Sequence, residues 1–246
     1  MTTDVELAAA IAAEAGVLLL GLRASASGRE LGLLGDRRSD ELIAQRLRAA
    51  HPEDVILSEE SVDNPARLDA PRVWIVDPLD GTREYTMDGR TDWAVHIALW
   101  ERGAGLTAAA VALPALGETY TSDAHPDATG HEGSPKRAIL VSESRPPSWA
   151  STVAEALGAT IVPMGSAGAK AMAVVRGEYD AYVHAGGQWE WDSAAPVGVA
   201  LAHGLHASRV DGSPLAYNQS HPYLPDLVIC RPELASALRS AIASAH

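Results

Sequence analysis

The sequence predicts an α/β (α+β) fold with an N-terminal α+β half and a smaller C-terminal α/β half. Between residues 93 and 121, strand-like runs follow one another across glycine-containing turns, which favours antiparallel pairing. After residue 136, strand-like and helix-like runs alternate instead. Residues 123–135 are rich in His, Pro, Gly and Ser and have no periodicity, so they predict a linker between halves that span residues 1–135 and 136–246.

The N-terminal half begins with two predicted helices. Apolar residues at helical spacing predict a long helix over residues 5–22 and then a loop over residues 24–35. A second helix is predicted over residues 36–50, with Asp36 or Ser39 as its N-cap and His51-Pro52 as its end. The predicted strands of this half are residues 55–57, the run that ends at Asp77, and residues 93–100, 106–113 and 118–121.

The C-terminal half is predicted to alternate between the two kinds of element. The predicted strands are residues 137–142, 160–162, 179–184, 206–210 and 227–230. The predicted helices are residues 148–157, 167–176 and 192–203, with a closing helix after Pro232.

Composition and charge exclude several classes of function. The 246 residues carry a formal charge of −13, whereas general binding to nucleic acid needs a basic surface, so no nucleic-acid partner is expected. No basic cluster precedes an apolar run at the start, and the longest uncharged stretch, residues 103–117, is too short to span a bilayer. We therefore expect neither a secretory signal nor a membrane partner. Cys230 is the only cysteine, which excludes an intrachain disulfide and favours a cytoplasmic location.

The chain is organised around residues 73–82, an apolar run that stops in Asp77, Pro78, Asp80 and Gly81. Pro78 cannot donate to a strand ladder, so the strand is expected to end near Asp77. The turn brings two carboxylates to one place, and Mg²⁺ prefers carboxylate, carbonyl and water oxygens. Residues 81–84 would then open a helix whose free N–H groups face an anion beside the metal. On residue types alone, an ordinary surface turn remains an alternative.

Other stretches carry candidate ligands. The strand at residues 55–57 ends in Glu59, and open α/β sheets place ligands outside strand carboxyl ends. Residues 165–170 lead into a helix, so small residues and free N–H groups could admit a substrate, with Lys170 one turn in to meet a phosphate. Asp192 is predicted as a helix N-cap, which by itself requires no further role. His96, inside a strand, is interpreted as a packed core residue rather than a ligand.

Residues 77–82 (Asp-Pro-Leu-Asp-Gly-Thr), with residues 57–60 (Leu-Ser-Glu-Glu) before them and residues 191–195 (Trp-Asp-Ser-Ala-Ala) after them, resemble the inositol monophosphatase superfamily of Mg²⁺-dependent, lithium-sensitive phosphatases. The resemblance covers nearly the whole chain, because these motifs occur in the family's order and at similar separations. Residues 57–60, 165–170 and 184–192 resemble more closely the CysQ branch, 3'-phosphoadenosine 5'-phosphate phosphatases, in its actinobacterial form. The resemblance implies a layered αβαβα fold.

The resemblance also implies roles for individual residues. The implied ligands of two or three Mg²⁺ ions are Glu59, Asp77, the Leu79 carbonyl, Asp80 and Asp192. Thr82 would orient the attacking water, and Asp36 would accept the hydroxyl proton of Thr82. Glu59 would bind the metal ion that activates this water. The implied phosphate- and substrate-binding residues are Asp80, Gly81, Thr82, Ser166, Ala167, Lys170 and His184.

The implied substrate is a small phosphorylated nucleotide, 3'-phosphoadenosine 5'-phosphate, which would be cleaved to AMP and phosphate in sulfate assimilation. His184 stands where inositol-cleaving members tend to have a glutamate that grips ring hydroxyls, which disfavours inositol phosphate. Inositol 1-phosphate and fructose 1,6-bisphosphate remain alternative substrates for the same chemistry. An anion-binding regulator that needs metal but has no catalysis is a further alternative. Related enzymes are often dimers, so a homodimer is one expectation.

Overall fold

The computed structural model of the chain describes residues 2–123 and 137–245. These residues form two five-stranded sheets with helices on every face. The described helices are α1 (Asp4–Arg23), α2 (Gly28–Ala50), α3 (Thr82–Tyr85), α4 (Ala150–Ala156), α5 (Ala167–Val175), α6 (Glu190–Ala202) and α7 (Ala235–Ala245). The described strands are β1 (Val55–Ser58), β2 (Arg72–Asp80), β3 (Ala94–Glu101), β4 (Gly105–Leu113), β5 (Glu118–Thr121), β6 (Ala138–Ser142), β7 (Thr160–Met164), β8 (Ala181–Trp189), β9 (His206–Ser208) and β10 (Tyr223–Cys230).

The first sheet has the strand order β1-β2-β3-β4-β5, with β1 parallel to β2 and the other pairs antiparallel. The second has the order β7-β6-β8-β10-β9, in which β6 is parallel to both of its neighbours and β10 is antiparallel to β8 and β9. Both patterns follow the prediction of an antiparallel N-terminal half and an alternating C-terminal half. Apart from Asp123, the predicted linker over residues 123–135 lies outside the described residues.

The elements stack in five layers, which confirms the predicted αβαβα fold. Helices α1 and α2 cover one face of the first sheet, α5 and α6 lie between the sheets, and α4 and α7 cover the far face of the second sheet. The middle core contains residues of both sheets. A division of the chain between residues 135 and 136 therefore stays a prediction.

The apolar run of β2 is continuous because both of its faces are covered. Trp74 and Val76 belong to the core under α1 and α2, whereas Val73 and Ile75 belong to the core around α5 and α6. All four are at most 1% exposed. Since successive side chains of a strand point to opposite faces, β2 joins both cores and is fixed between them.

Helix α1 is long and apolar enough, by length and composition, to cross a membrane. The search of the sequence for a long uncharged stretch missed this helix, because Glu6 and Glu14 interrupt its apolar run. Ala8, Ala12 and Ala15 are fully buried in the core on the first sheet, as in the core helix of a globular domain. The membrane criterion is thus weak evidence here.

The predicted loop over residues 24–35 is wrong from Gly28 onward, because α2 already begins there. Its glycines weaken the helix preference of the sequence, but two of them are needed for packing. A Cβ at Gly35 would lie 2.9 Å from both Leu79 Cδ2 and Tyr85 Cε1. Asp36 and Ser39 are consequently not N-caps but interior residues of α2.

Candidate active site

The turn after the central strand places two carboxylates on one side of the sheet. The prediction that the strand ends at Asp77 is wrong, since β2 continues to Asp80. The ladder pairs Asp77 with His96 and then Asp80 with Ala94, so three steps on β2 face two on β3. This bulge contains Pro78, in the kind of position where a strand tolerates proline. In a regular strand, side chains three residues apart point to opposite faces, and the extra residue brings both aspartates to the same one.

Gly81 connects the strand to the short helix α3. Its φ of +85° is favourable only for glycine, and a Cβ there would lie 3.1 Å from Asp92 O and from Ser166 Cβ. The helix starts at Thr82, as predicted. The Ser39 hydroxyl donates to Pro78 O at 2.7 Å and so holds the bulge against α2.

Three carboxylates converge at this turn. Asp77, Asp80 and Asp192 each offer an oxygen within 4.8 Å of the other two. Asp192 reaches the cluster from α6, in the C-terminal part of the chain. Glu59 lies outside this group of three, but its backbone N–H donates to Val76 O at 3.3 Å, beside Asp77. Carboxylates at this separation form a donor set for a hard divalent cation.

The charges of these carboxylates repel one another. Burial and then the charges of Glu59, Asp80 and Asp192 raise the pKa of Asp77 well above its ordinary value. Burial and then the charge of Asp80 raise the pKa of Asp192 to about 6. Glu59 keeps an exposed side chain, yet partial desolvation and then the charges of Asp192 and Asp80 raise its pKa to about 8. The cluster needs protons or a cation to balance its charge.

The environment of Asp80 instead lowers the pKa of its carboxyl group. Burial would raise its pKa, but the nearby His96, the charge of Lys170 and the Ser166 hydrogen bond together lower it. The Ser166 hydroxyl and the Gly168 N–H, at 2.7 Å, both donate to Asp80 Oδ2, and His96 Nε2 lies 3.2 Å from the same oxygen. The start of α5 therefore supports a carboxylate of the cluster. Ser166 itself has a φ of +49°, so this contact is made from an unusual backbone conformation.

His96 is fully buried, as the sequence predicts, but it also contacts the site. Its Nδ1 lies 3.1 Å from Trp191 O, immediately before Asp192 in the chain, while its other nitrogen faces Asp80. Sequence reasoning missed this bridge, and with it the role of Gly168, where a Cβ would lie 2.1 Å from His96 Nε2. A histidine inside an otherwise apolar strand was the only sign of it in the sequence.

The prediction that Asp192 is an N-cap is wrong. Strand β8 does not stop at residue 184 but runs through the glycines at 186 and 187 to Trp189, which becomes the N-cap of α6. Asp192 is the third residue of the helix and accepts the Trp189 backbone N–H. That contact fixes the orientation of one carboxylate oxygen and leaves the other free for the cluster.

Thr82 and Asp36 form the predicted pair. Thr82 Oγ1 lies 3.0 Å from Asp36 Oδ1 and 3.1 Å from Leu79 O. Burial, opposed by this hydrogen bond and reinforced by the charge of Glu60, raises the pKa of Asp36 to about 6. Above that pH the hydroxyl proton is directed to an acceptor, so the lone pairs of Thr82 remain available to a water molecule.

A cavity of about 230 Å³ opens beside the cluster. Its lining includes Asp80, Gly81, Thr82, Ser166, Ala167, Lys170, His184 and Asp192. All seven predicted phosphate- and substrate-binding residues thus line one cavity, together with the predicted metal ligand Asp192. Of the other predicted site residues, Asp36 lies behind Thr82, and Asp77, Leu79 and Glu59 belong to the carboxylate cluster or its edge.

Two of the predicted phosphate contacts are engaged with the protein. Lys170 is 4% exposed, and its ammonium donates to the carbonyls of Met164, Gly165 and Ser166. Burial lowers its pKa to about 8 despite the charge of Asp80. His184 is also buried, with Nε2 3.0 Å from Gly187 O. Direct contact of either side chain with a phosphate stays a prediction.

A sequence profile described as the inositol monophosphatase family matches residues 34–244. A 3'-phosphoadenosine 5'-phosphate phosphatase of Mycobacterium leprae (strain TN) is 54% identical over 253 residues, covering 98% of this chain and 93% of that protein. The 3'(2'),5'-bisphosphate nucleotidase CysQ of Escherichia coli (strain K12) is 30% identical over 202 residues, covering 77% of this chain and 80% of that protein.

Among solved structures, CysQ from Bacteroides thetaiotaomicron superposes with a TM-score of 0.79 at 22% identity, covering 94% of this chain and 98% of that one. At this identity the likeness is one of fold, and it agrees with the five-layer arrangement. The profile match and the relatives of 54% and 30% identity each cover more than two thirds of the chain. The chain belongs to the inositol monophosphatase family.

Proposed function

We propose that the chain is a Mg²⁺-dependent phosphomonoesterase that hydrolyses the 3'-phosphate of 3'-phosphoadenosine 5'-phosphate to give AMP and phosphate. The observation that carries the chemistry is the convergence of Asp77, Asp80 and Asp192 within 4.8 Å, beside the Thr82–Asp36 pair. The observation that carries the substrate is the 54% identity to a protein named for this activity.

The donor set fits a hard divalent cation. The raised pKa values of Asp77 and Asp192 mean that the cluster is short of positive charge, which Mg²⁺ supplies without protonation. Asp77, Asp80, Asp192, Glu59 and the Leu79 carbonyl would hold two or three ions. When bound, such ions lower the pKa of a water molecule and stabilise charge on the leaving oxygen.

The chain's own groups would position the reactants. Asp36 accepts the Thr82 hydroxyl proton, which leaves the Thr82 oxygen to orient a water molecule. The N–H groups of Gly81 and Thr82 lie at the start of α3, where first-turn amides have no partner within the helix, so they suit phosphate oxygens. Ser166, Gly168 and His96 hold Asp80 in place from behind.

We also propose a cytoplasmic location, a role in sulfate assimilation and, as in many related enzymes, a homodimer.

The test is phosphate release in Mg²⁺, with and without Li⁺, from 3'-phosphoadenosine 5'-phosphate, inositol 1-phosphate and fructose 1,6-bisphosphate. A kcat/KM at least 100-fold higher for the nucleotide, about 3 kcal/mol of discrimination, supports the proposal. Equal or better turnover of a sugar phosphate contradicts the substrate but leaves the chemistry standing. Asp80→Asn should abolish turnover, whereas Asp88→Asn, an exposed aspartate outside the cavity, should leave it unchanged.

A second candidate function, an anion-binding regulator without catalysis, would bind the nucleotide but release no phosphate. The Thr82–Asp36 pair argues against it, because a binding protein has no need to direct a hydroxyl proton away from the ligand. Binding by calorimetry combined with phosphate release below the buffer rate would favour this candidate.

A further inference from the structure

The proposed substrate carries two phosphates, and only one can lie at the carboxylate cluster. The other needs a positive group elsewhere in the same cavity, in a chain with a formal charge of −13. The basic side chains that line the cavity are Arg83, Arg145, Lys170 and His184. Three of them are committed to other partners.

Lys170 and His184 are poorly suited to a second phosphate. An ammonium has three donors, and those of Lys170 already meet three backbone carbonyls at the start of α5. His184 Nε2 faces the Gly187 carbonyl, so in a neutral ring it is this nitrogen that carries the proton. The buried Nδ1, which has no partner among the described residues, is then an acceptor and repels phosphate oxygens.

Arg83 is neutralised by acidic neighbours. Its guanidinium lies 3.1 Å from Glu143 and 3.3 Å from Glu84. Glu143 also contacts Arg90 at 2.9 Å, so one carboxylate joins two arginines at the cavity mouth. A phosphate would have to displace these carboxylates to reach Arg83.

Arg145 has no such commitment. Its side chain is exposed, lines the cavity, and has no ion pair or hydrogen bond with any residue in the described part of the chain. Its backbone N–H bonds to Ser142 Oγ at 3.2 Å, which fixes the turn after β6 that carries it. Tyr182 and His184 of β8 line the same cavity as Arg145. A guanidinium can bind a phosphate through two parallel hydrogen bonds.

We propose that Arg145 binds the phosphate that is not hydrolysed, the 5'-phosphate of 3'-phosphoadenosine 5'-phosphate. This inference rests on the proposed function, because it presupposes a substrate with two phosphates. It changes the prediction made from sequence, in which Lys170 and His184 are among the phosphate- and substrate-binding residues. Lys170 instead supports the start of α5, and His184 offers an acceptor to a donor group of the ligand.

The kinetic test compares two substrates that differ only in the second phosphate, 3'-phosphoadenosine 5'-phosphate and 3'-AMP. Arg145→Ala should lower kcat/KM for the bisphosphate tenfold or more, as expected for the loss of a charge-assisted contact, and change that for 3'-AMP less than about twofold. Arg145→Lys should recover part of the loss. Arg239→Ala is the matched control, since Arg239 is also exposed and without an ion pair among the described residues, but lies on α7 outside the cavity. Equal losses on both substrates, or none, would overturn the assignment.

A binding test keeps this inference separate from the proposed function. Calorimetry in Mg²⁺ compares AMP, which carries only the 5'-phosphate, with adenosine. The wild-type chain should bind AMP at least tenfold more tightly than adenosine, and Arg145→Ala should remove that difference. If the wild-type chain hydrolyses no nucleotide but shows this pattern, the proposed function fails and the role of Arg145 stands. If Arg145→Ala leaves the preference for AMP intact, the role of Arg145 fails whatever the activity.

Discussion

His96 links two parts of the carboxylate cluster, and its removal should weaken metal binding more than it weakens the fold. One ring nitrogen lies 3.2 Å from Asp80 Oδ2 and the other 3.1 Å from the carbonyl of Trp191, which precedes Asp192. We expect His96→Leu to leave Asp80 Oδ2 and the carbonyl of Trp191 each without its contact to the imidazole. His96→Gln keeps a polar side chain at this position, so it should weaken metal binding less than His96→Leu.

The magnitude follows from the number of contacts that remain. Groups that orient metal ligands change metal affinity by roughly 10- to 100-fold when removed. Asp80 Oδ2 keeps its hydrogen bonds from the Ser166 hydroxyl and the Gly168 N–H and loses only its contact with His96. We therefore expect the lower part of that range, about tenfold, or about 1.4 kcal/mol of binding free energy.

The assay is the Mg²⁺ concentration that gives half-maximal phosphate release, measured beside the melting temperature in EDTA. His96→Leu should need about tenfold more Mg²⁺, and His96→Gln an intermediate amount. If His96→Leu melts lower but its half-saturating Mg²⁺ stays within about twofold of the wild-type value, the reasoning is refuted. His96 would then be a packing residue only, as the sequence indicated.

Three further predictions concern the catalytic pair, the charged cluster and helix packing. Thr82→Val should lower kcat about 100-fold or more by removing the hydroxyl, whereas Thr82→Ser keeps it and should stay within about tenfold. In EDTA the melting temperature should fall as the pH rises from 6 to 8, because the raised pKa values of Asp192, about 6, and Glu59, about 8, make the folded state bind more protons than the unfolded one. The stabilisation from these protons is complete only below the unfolded pKa values and is lost as the pH rises through the folded ones, and saturating Mg²⁺ should flatten the slope. Gly35→Ala should cost about 1–3 kcal/mol of unfolding free energy, since its Cβ would meet side chains at 2.9 Å. Gly21→Ala in α1, with no atom within 4 Å of the added Cβ, should stabilise by about 0.5–1 kcal/mol.

Each of these three has a clear contrary result. Loss of activity in Thr82→Ser equal to that in Thr82→Val would mean that shape rather than the hydroxyl matters. A melting temperature in EDTA that rises between pH 6 and 8 would contradict the proton excess of the cluster. Denaturant unfolding in which Gly35→Ala is as stable as Gly21→Ala would show that α2 can move away from its neighbours.

Local sequence was sufficient wherever short-range chemistry decides the structure. The apolar run of β2, the proline and Gly81 predicted a turn with two carboxylates, and this turn is where the cluster lies. The antiparallel strands after residue 93 followed from successive strand-like runs separated by glycine-containing turns. The family followed from the order of three motifs, and the profile match confirms it.

Sequence reasoning failed where distant contacts override local preference. Helix α2 starts at Gly28 although its glycines weaken the helical preference, because Gly35 lets it approach Leu79 and Tyr85. Strand β2 passes through Pro78 because a bulge places the proline where no ladder donor is needed. Both differences lie next to the site, where close backbone approach matters most.

By itself the sequence determined which residue types surround the site: the carboxylates, the hydroxyl of Thr82 and the small residues that start α5. Only the tertiary structure decided which of them meet, since Asp192 and Asp80 are far apart in the chain and the sheets bring them within 4.8 Å. The tertiary structure also decided which basic side chains of the cavity already have partners. Arg145 has no ion pair among the described residues, whereas the donors of Lys170 meet backbone carbonyls. The physical reason is that burial and partner distance, which set the charge and the free donors of a side chain, are properties of the packed chain and not of its local order.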